Sequence, residues 1–132
     1  MDIIVTTPKS EIESSRKEGE QVQEDLDKGL NAFWFRTFKF RPNVNEGDKI
    51  YFVEDGSIKG YGVIFQIEQI IEPKMETKCD ITERVWGKEG DFVVKYKDWH
   101  WLKMEVLFKG FQGFRYPDRL PELQTRLLEA AQ

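Results

Sequence analysis

The chain is poor in the residues on which most enzyme chemistry turns: its 132 positions hold one histidine, His100, and one cysteine, Cys79. Any Ser-His-Asp or Cys-His arrangement would have to use His100. One cysteine with one histidine cannot furnish a tetrahedral zinc set, so no metal is expected. A single cysteine also permits no internal disulfide, and the expectation is a reduced thiol in the cytoplasm. No apolar run approaches the roughly 18 residues of a helical membrane span. The N-terminus MDIIVTTPKS lacks a basic region followed by an apolar stretch and a cleavage site, so no signal peptide is expected. No phosphate-binding GxxxxGK[ST] loop occurs, and Gly60-Tyr61-Gly62 lacks the third glycine and the helix of a dinucleotide fingerprint. No cofactor is expected.

Excess positive charge is missing too. The net charge of −4 is not the footprint of a protein that binds nucleic acid by charge alone. The asymmetry is informative. Residues 1–30 carry eight acids and four bases, so the remainder is neutral overall. An acidic helix and a milder, aromatic-rich body are two different surfaces.

What is present is one domain's worth of chain, residues 1–132, with 39% hydrophobic and 14% aromatic residues. Residues 2–6 read as a short strand. Thr7-Pro8 or Ser10 to Glu13 then starts a helix. Ile12, Val22, Leu26 and Leu30 lie on its apolar stripe with Ser15 and Gly19, a break at Gly19 is conceivable, and Gly29 is the C-terminal cap. Residues 32–40, AFWFRTFKF, form an aromatic strand. Lys49 to Val53 and Ile58 to Ile71 make a hairpin around Asp55-Gly56. In the second of these strands Gly60 and Gly62 share a face and allow a backbone or ligand to approach closely. Residues 72–90 are the least regular. Residues 92–96 and 99–108 read as two further strands. A glycine- and aromatic-rich loop, Lys109 to Pro117, leads to a terminal helix with Leu123, Leu127 and Leu128 on its packing side. His100 shares a face with Leu102, Met104 and Val106 and is expected to be a packed ring. The carboxylates of the first helix read as a solvated face.

Three stretches in this order resemble the PUA-like superfamily, which includes the ASCH, EVE and YTH domains. Gly29 to Arg36 is similar to the G-x-K-x-x-E-x-R signature of ASCH domains, with Asn31 at the lysine position and Trp34 at the glutamate position. Glu46-Gly47-Asp48-Lys49-Ile50-Tyr51-Phe52, followed by Gly60-Tyr61-Gly62-Val63, is similar to the superfamily's hairpin. Trp101 to Phe108, an aromatic loop and a final helix complete the likeness. The resemblance implies an α+β fold: a PUA-like small mixed β-barrel of five to six strands with an N-terminal and a C-terminal helix. It also implies binding of RNA, or of modified bases in RNA or DNA. Related hydrolases depend on the lysine and glutamate, and Asn31 and Trp34 cannot transfer their protons.

The leading reading is therefore a non-catalytic nucleic-acid or modified-nucleotide recognition module. Trp34 would stack on a base. Arg36 and Asn31 would read polar edges or phosphate, unless Arg36 is buried against an acid such as Asp48. Arg115 and Tyr116 would close the cleft or plug the barrel end. Trp99 and Trp101 would cover the first helix or form a stacking platform. Two alternatives stand beside it: a hydrolase of a modified nucleoside or RNA, and a protein-interaction domain docking through the acidic helix. Oligomeric state is left open.

Overall fold

The structure, a computed structural model, describes residues 1–72 and 85–131. Its elements run β1 (Ile3–Thr6), α1 (Ile12–Asp27), β2 (Trp34–Phe38), β3 (Lys49–Glu54), β4 (Ser57–Gln69), β5 (Phe92–Leu107) and α2 (Pro121–Ala130). The strands form one sheet in the order β1-β3-β4-β5-β2. Only the β1–β3 pair is parallel. The fold is thus mixed α+β, with a helix against each face. Cys79 lies outside the described residues.

The sheet is not closed into a barrel, which corrects the expectation. The reason lies at the free edge of β1. Ile4 exchanges both backbone hydrogen bonds with Arg115, at 2.8 and 3.0 Å. The loop before α2 therefore occupies the ladder that β2 would need. Phe114 meets Phe38, at the end of β2, edge to face at 5.4 Å. The Tyr116 hydroxyl accepts a hydrogen bond from the Asn43 backbone N–H at 3.0 Å. Residues 114–116 thereby plug the seam between the two edge strands.

Alternation along the strands builds two cores. On the α1 side lie Ile3, Val5, Phe38, Val44, Ile50, Phe52, Ile64, Val94 and Tyr96. On the other side Ile4, Tyr51, Val53, Ile58 and Val106 pack against Leu123, Leu127 and Ala130 of α2. Leu128 is half exposed and lies off that packing side. Helix α1 is far less engaged: Val22 is its one buried residue, and Leu30 is 56% exposed rather than part of an apolar stripe. The helix runs unbroken through Gly19. A short 3-10 turn, Lys9–Glu11, leads into it. It ends as expected at Gly29, whose φ is +78°. The Gly29 and Leu30 N–H groups donate to Leu26 and Asp25, satisfying carbonyls that the helix end leaves open. Exposed pairs such as Lys28–Glu24, 3.1 Å apart, support the helix from its own surface.

Residues 92–107 form one strand, not two. The expected break is a β-bulge. Tyr61 pairs with His100 and Val63 with Lys97, so Asp98 and Trp99 together face Gly62. Asp98 takes the left-handed conformation, φ +58°, which aspartate tolerates better than most residues. The bulge keeps Tyr96, Trp99 and Trp101 on the α1 side of the sheet.

Candidate functional site

Between α1 and the sheet runs a groove in two connected halves that share Ser15, Trp34, Phe52 and Tyr96. One half, about 430 Å³, is lined further by Thr7, Pro8, Glu11, Glu18, Arg36 and Trp86. The other, about 370 Å³, is lined by Arg16, Gly19, Glu20, Glu54, Trp99 and Trp101. Both volumes fall in the range of roughly 300–1,000 Å³ typical of small-molecule sites. The groove exists because α1 presents small residues here. A Cβ added at Gly19 would come within 3.6 Å of Trp34 Nε1, so the helix nearly touches that indole without filling the space beside it.

The walls are aromatic. Trp34 on β2 stacks on Tyr96 of the neighbouring strand, centroids 6.0 Å apart and planes 15° from parallel. Phe52 touches both Tyr96 and Trp99, at 5.3 and 5.5 Å. Trp101, 69% exposed, stands edge-on to Trp99 at the rim. Glycines make this wall possible. A Cβ on Gly62 would lie 2.4 Å from Tyr96 Cδ2, and one on Gly60 would lie 2.6 Å from Trp99 Cζ2. The close approach expected at these glycines is filled by the protein's own rings. Trp99 carries one anomaly: its Nε1–H is buried and has no hydrogen-bond partner among the described residues.

Arg36 lines the groove but is not paired with Asp48. Its Nη2 donates to the carbonyl oxygen of Thr6 at 2.9 Å, not to Asp48. Asp48 instead accepts from the Met1 amine and the Asn45 backbone N–H, both at 2.7 Å. Burial pulls the Arg36 guanidinium below its ordinary pKa, against the opposing influence of Tyr96 and Glu11. Burial likewise raises the Tyr96 phenol, and Glu18 and Glu54 add to that rise while Arg36 opposes it.

The lining holds four carboxylates, Glu11, Glu18, Glu20 and Glu54, against two guanidiniums, Arg16 and Arg36. Among the described residues no lysine lines either half. Lys49, Lys95 and Lys97 sit on the other face, 4.8 to 5.1 Å from the ring centres of Tyr61, Phe33 and Phe65. His100 stacks on Tyr61 on that face at 4.9 Å, so its ring is packed as expected, but the residue is exposed.

Of the seven residues singled out from sequence, the structure brings together Trp34, Arg36, Trp99 and Trp101. Asn31 is exposed and lines neither half of the groove. Arg115 and Tyr116 lie at the β1 seam, where Arg115 sits over Phe111 at 4.9 Å, and line neither half. Sequence reasoning missed Tyr96 and Phe52, and weighed Glu54 only as one of the acids, with Asp48 and Asp55, behind the hydrolase alternative. Tyr96 pairs with Ile64 and lays its ring over Gly62, two residues along the strand, so that glycine could have pointed to it had the register been known.

Among the described residues no group of three histidine, cysteine, aspartate or glutamate side chains could hold a metal, and no helix is long and apolar enough to cross a membrane. Comparison with protein-family models, with curated proteins and with solved structures finds no match.

Proposed function

We propose that this chain is a PUA-like module that recognises a nucleobase, in RNA or DNA or as a free nucleotide, by stacking it in the groove without turning it over. The observation that carries the reading is the Trp34–Tyr96 stack, set in a wall with Phe52, Trp99 and Trp101 beside an unfilled space of nucleoside scale. Flat π-faces at a groove offer stacking to any base, with polar neighbours left to choose among them. The PUA-like reading draws on the order of the elements and on the hairpin at 46–63. It is also supported by a sheet curled until its edge strands come within reach of one side chain.

Excess acid in the groove favours base recognition over phosphate tracking. Binding should therefore depend only weakly on salt, unlike that of a protein whose affinity comes from neutralised phosphates. Intrinsic tryptophan fluorescence, titrated with nucleosides and short single-stranded oligonucleotides, tests this. Trp34→Ala should weaken binding by about tenfold or more, and Trp34→Phe should retain most of it. Unchanged affinity in Trp34→Ala would refute the proposal. Product analysis of the same mixtures checks that the nucleoside emerges intact.

A further inference from the structure

The two halves of the groove differ in what they offer a ring. The half toward Trp99 and Trp101 combines five aromatic neighbours with the carboxylates of Glu20 and Glu54. Glu54 is at the end of β3, and its side chain is only 15% exposed. Its nearest cation, Arg16 Nη2, is at 3.7 Å, from a side chain that is 61% exposed. That contact is long and its arginine is solvated, so it neutralises the carboxylate only in part. A wall of indole and phenol faces with a poorly neutralised carboxylate is built for a positive charge spread over a flat or alkylated group, because the ring quadrupole and the carboxylate attract it together. A neutral base would gain the stacking but not the second attraction. A phosphate would be repelled by both carboxylates.

We infer that the Trp99–Trp101 half of the groove selects a base that is cationic at neutral pH, such as a ring-N-methylated purine, with Glu54 as its counter-ion. The inference rests on the base-recognition reading above and names its ligand class. The groove's shape sets the pose: the cationic ring lies between Trp34 and Trp99, and its sugar points to the Arg36 half. Glu20, on the exposed side of α1, adds a second negative charge at the mouth. Here Arg16 is a competitor for Glu54, not a ligand contact.

The test uses two isomers, 1-methyladenosine, which is cationic at neutral pH, and N6-methyladenosine, which is neutral. Both are titrated calorimetrically into the full chain. The cation should bind about five- to thirtyfold tighter, the span of a partly desolvated cation–π contact. Glu54→Gln should bring the two isomers to within about twofold of one another. Arg16→Gln should widen the preference, because it removes the competing guanidinium. This opposite direction separates the proposed role from general damage to the groove. Equal binding of the isomers to the unaltered chain would overturn the inference and leave base recognition standing. A widened gap in Glu54→Gln would also overturn it. Binding of neither isomer, nor of any nucleoside or oligonucleotide, would overturn both readings.

Discussion

The guanidinium of Arg36, on one edge strand, donates to the carbonyl oxygen of Thr6, on the other, at 2.9 Å. This one side chain spans a seam that no backbone ladder crosses among the described residues. A partly buried carbonyl left without its donor loses the hydrogen bond and regains only part of its solvation. Arg36→Met, which keeps the length and removes the donors, should lower unfolding free energy by about 2 kcal/mol in urea titration. A variant as stable as the parent would show that the seam is held by the plug of residues 114–116 without the guanidinium.

Gly62 should not tolerate a side chain. A methyl there meets the Tyr96 ring at 2.4 Å, and that ring is hemmed in by Trp34 and Phe52. Gly62→Ala should cost about 1–3 kcal/mol and change the tryptophan emission as the stack is displaced. Gly56, in the hairpin turn with φ +80° and nothing near its absent Cβ, is the contrasting case. Strain there comes from the backbone, so Gly56→Ala should destabilise without altering the emission.

Trp99→Phe should be nearly neutral for stability, or even stabilising. The change removes some buried aromatic area, but it also removes an N–H that has no partner. Relief of an unsatisfied donor is worth about 1–3 kcal/mol, comparable with the area lost. A loss beyond about 3 kcal/mol on thermal or chemical unfolding would mean that the indole's shape, not its hydrogen-bond state, decides the matter.

Alkaline titration should separate the tyrosines. Burial raises the phenols of Tyr51 and Tyr96 above the ordinary tyrosine range, with Asp2 and Tyr61 adding to the effect at Tyr51. A phenol whose pKa is raised by folding favours the fold fully below its unfolded value. That contribution is lost as pH climbs past about 10 toward the folded value. Tyrosinate absorbance should thus show Tyr51 and Tyr96 still un-ionised at a pH where the denatured chain has lost every phenolic proton. Ionisation of these two in the folded protein at the pH of the denatured chain would contradict the burial.

Much of the architecture was legible because it depends on local signals. Gly29 ends α1 where a left-handed residue was needed, and Asp55-Gly56 turns the hairpin. Trp34, Arg36, Trp99 and Trp101 could be placed at the groove because strand alternation is local too. What was hidden depends on pieces far apart in the chain. Arg115 blocks the edge of β1 across more than a hundred residues, and nothing near Ile4 announces it. The apolar stripe assigned to α1 departs at its end, where Leu30 is exposed, while Val22 is buried and Ile12 and Leu26 are half-buried. Leu30 falls beyond the helix end, while Ser15 and Gly19, which look like weak points in a packing face, are what leave the groove open.

Asp98 has a consequence for how this wall could change over time. Counted strictly, every second residue from Tyr96 is Asp98, His100 and Leu102, and the two tryptophans are out of phase with the tyrosine. The extra residue works as a frame correction, bringing both segments of β5 back into step on one side. Removing it would straighten the strand and leave every aromatic on its present side. Inserting one residue anywhere between Trp99 and Trp101 would throw the outer part of the wall to the opposite side. The composition of the groove is therefore governed by insertions and deletions at one bend as much as by substitutions along the strand.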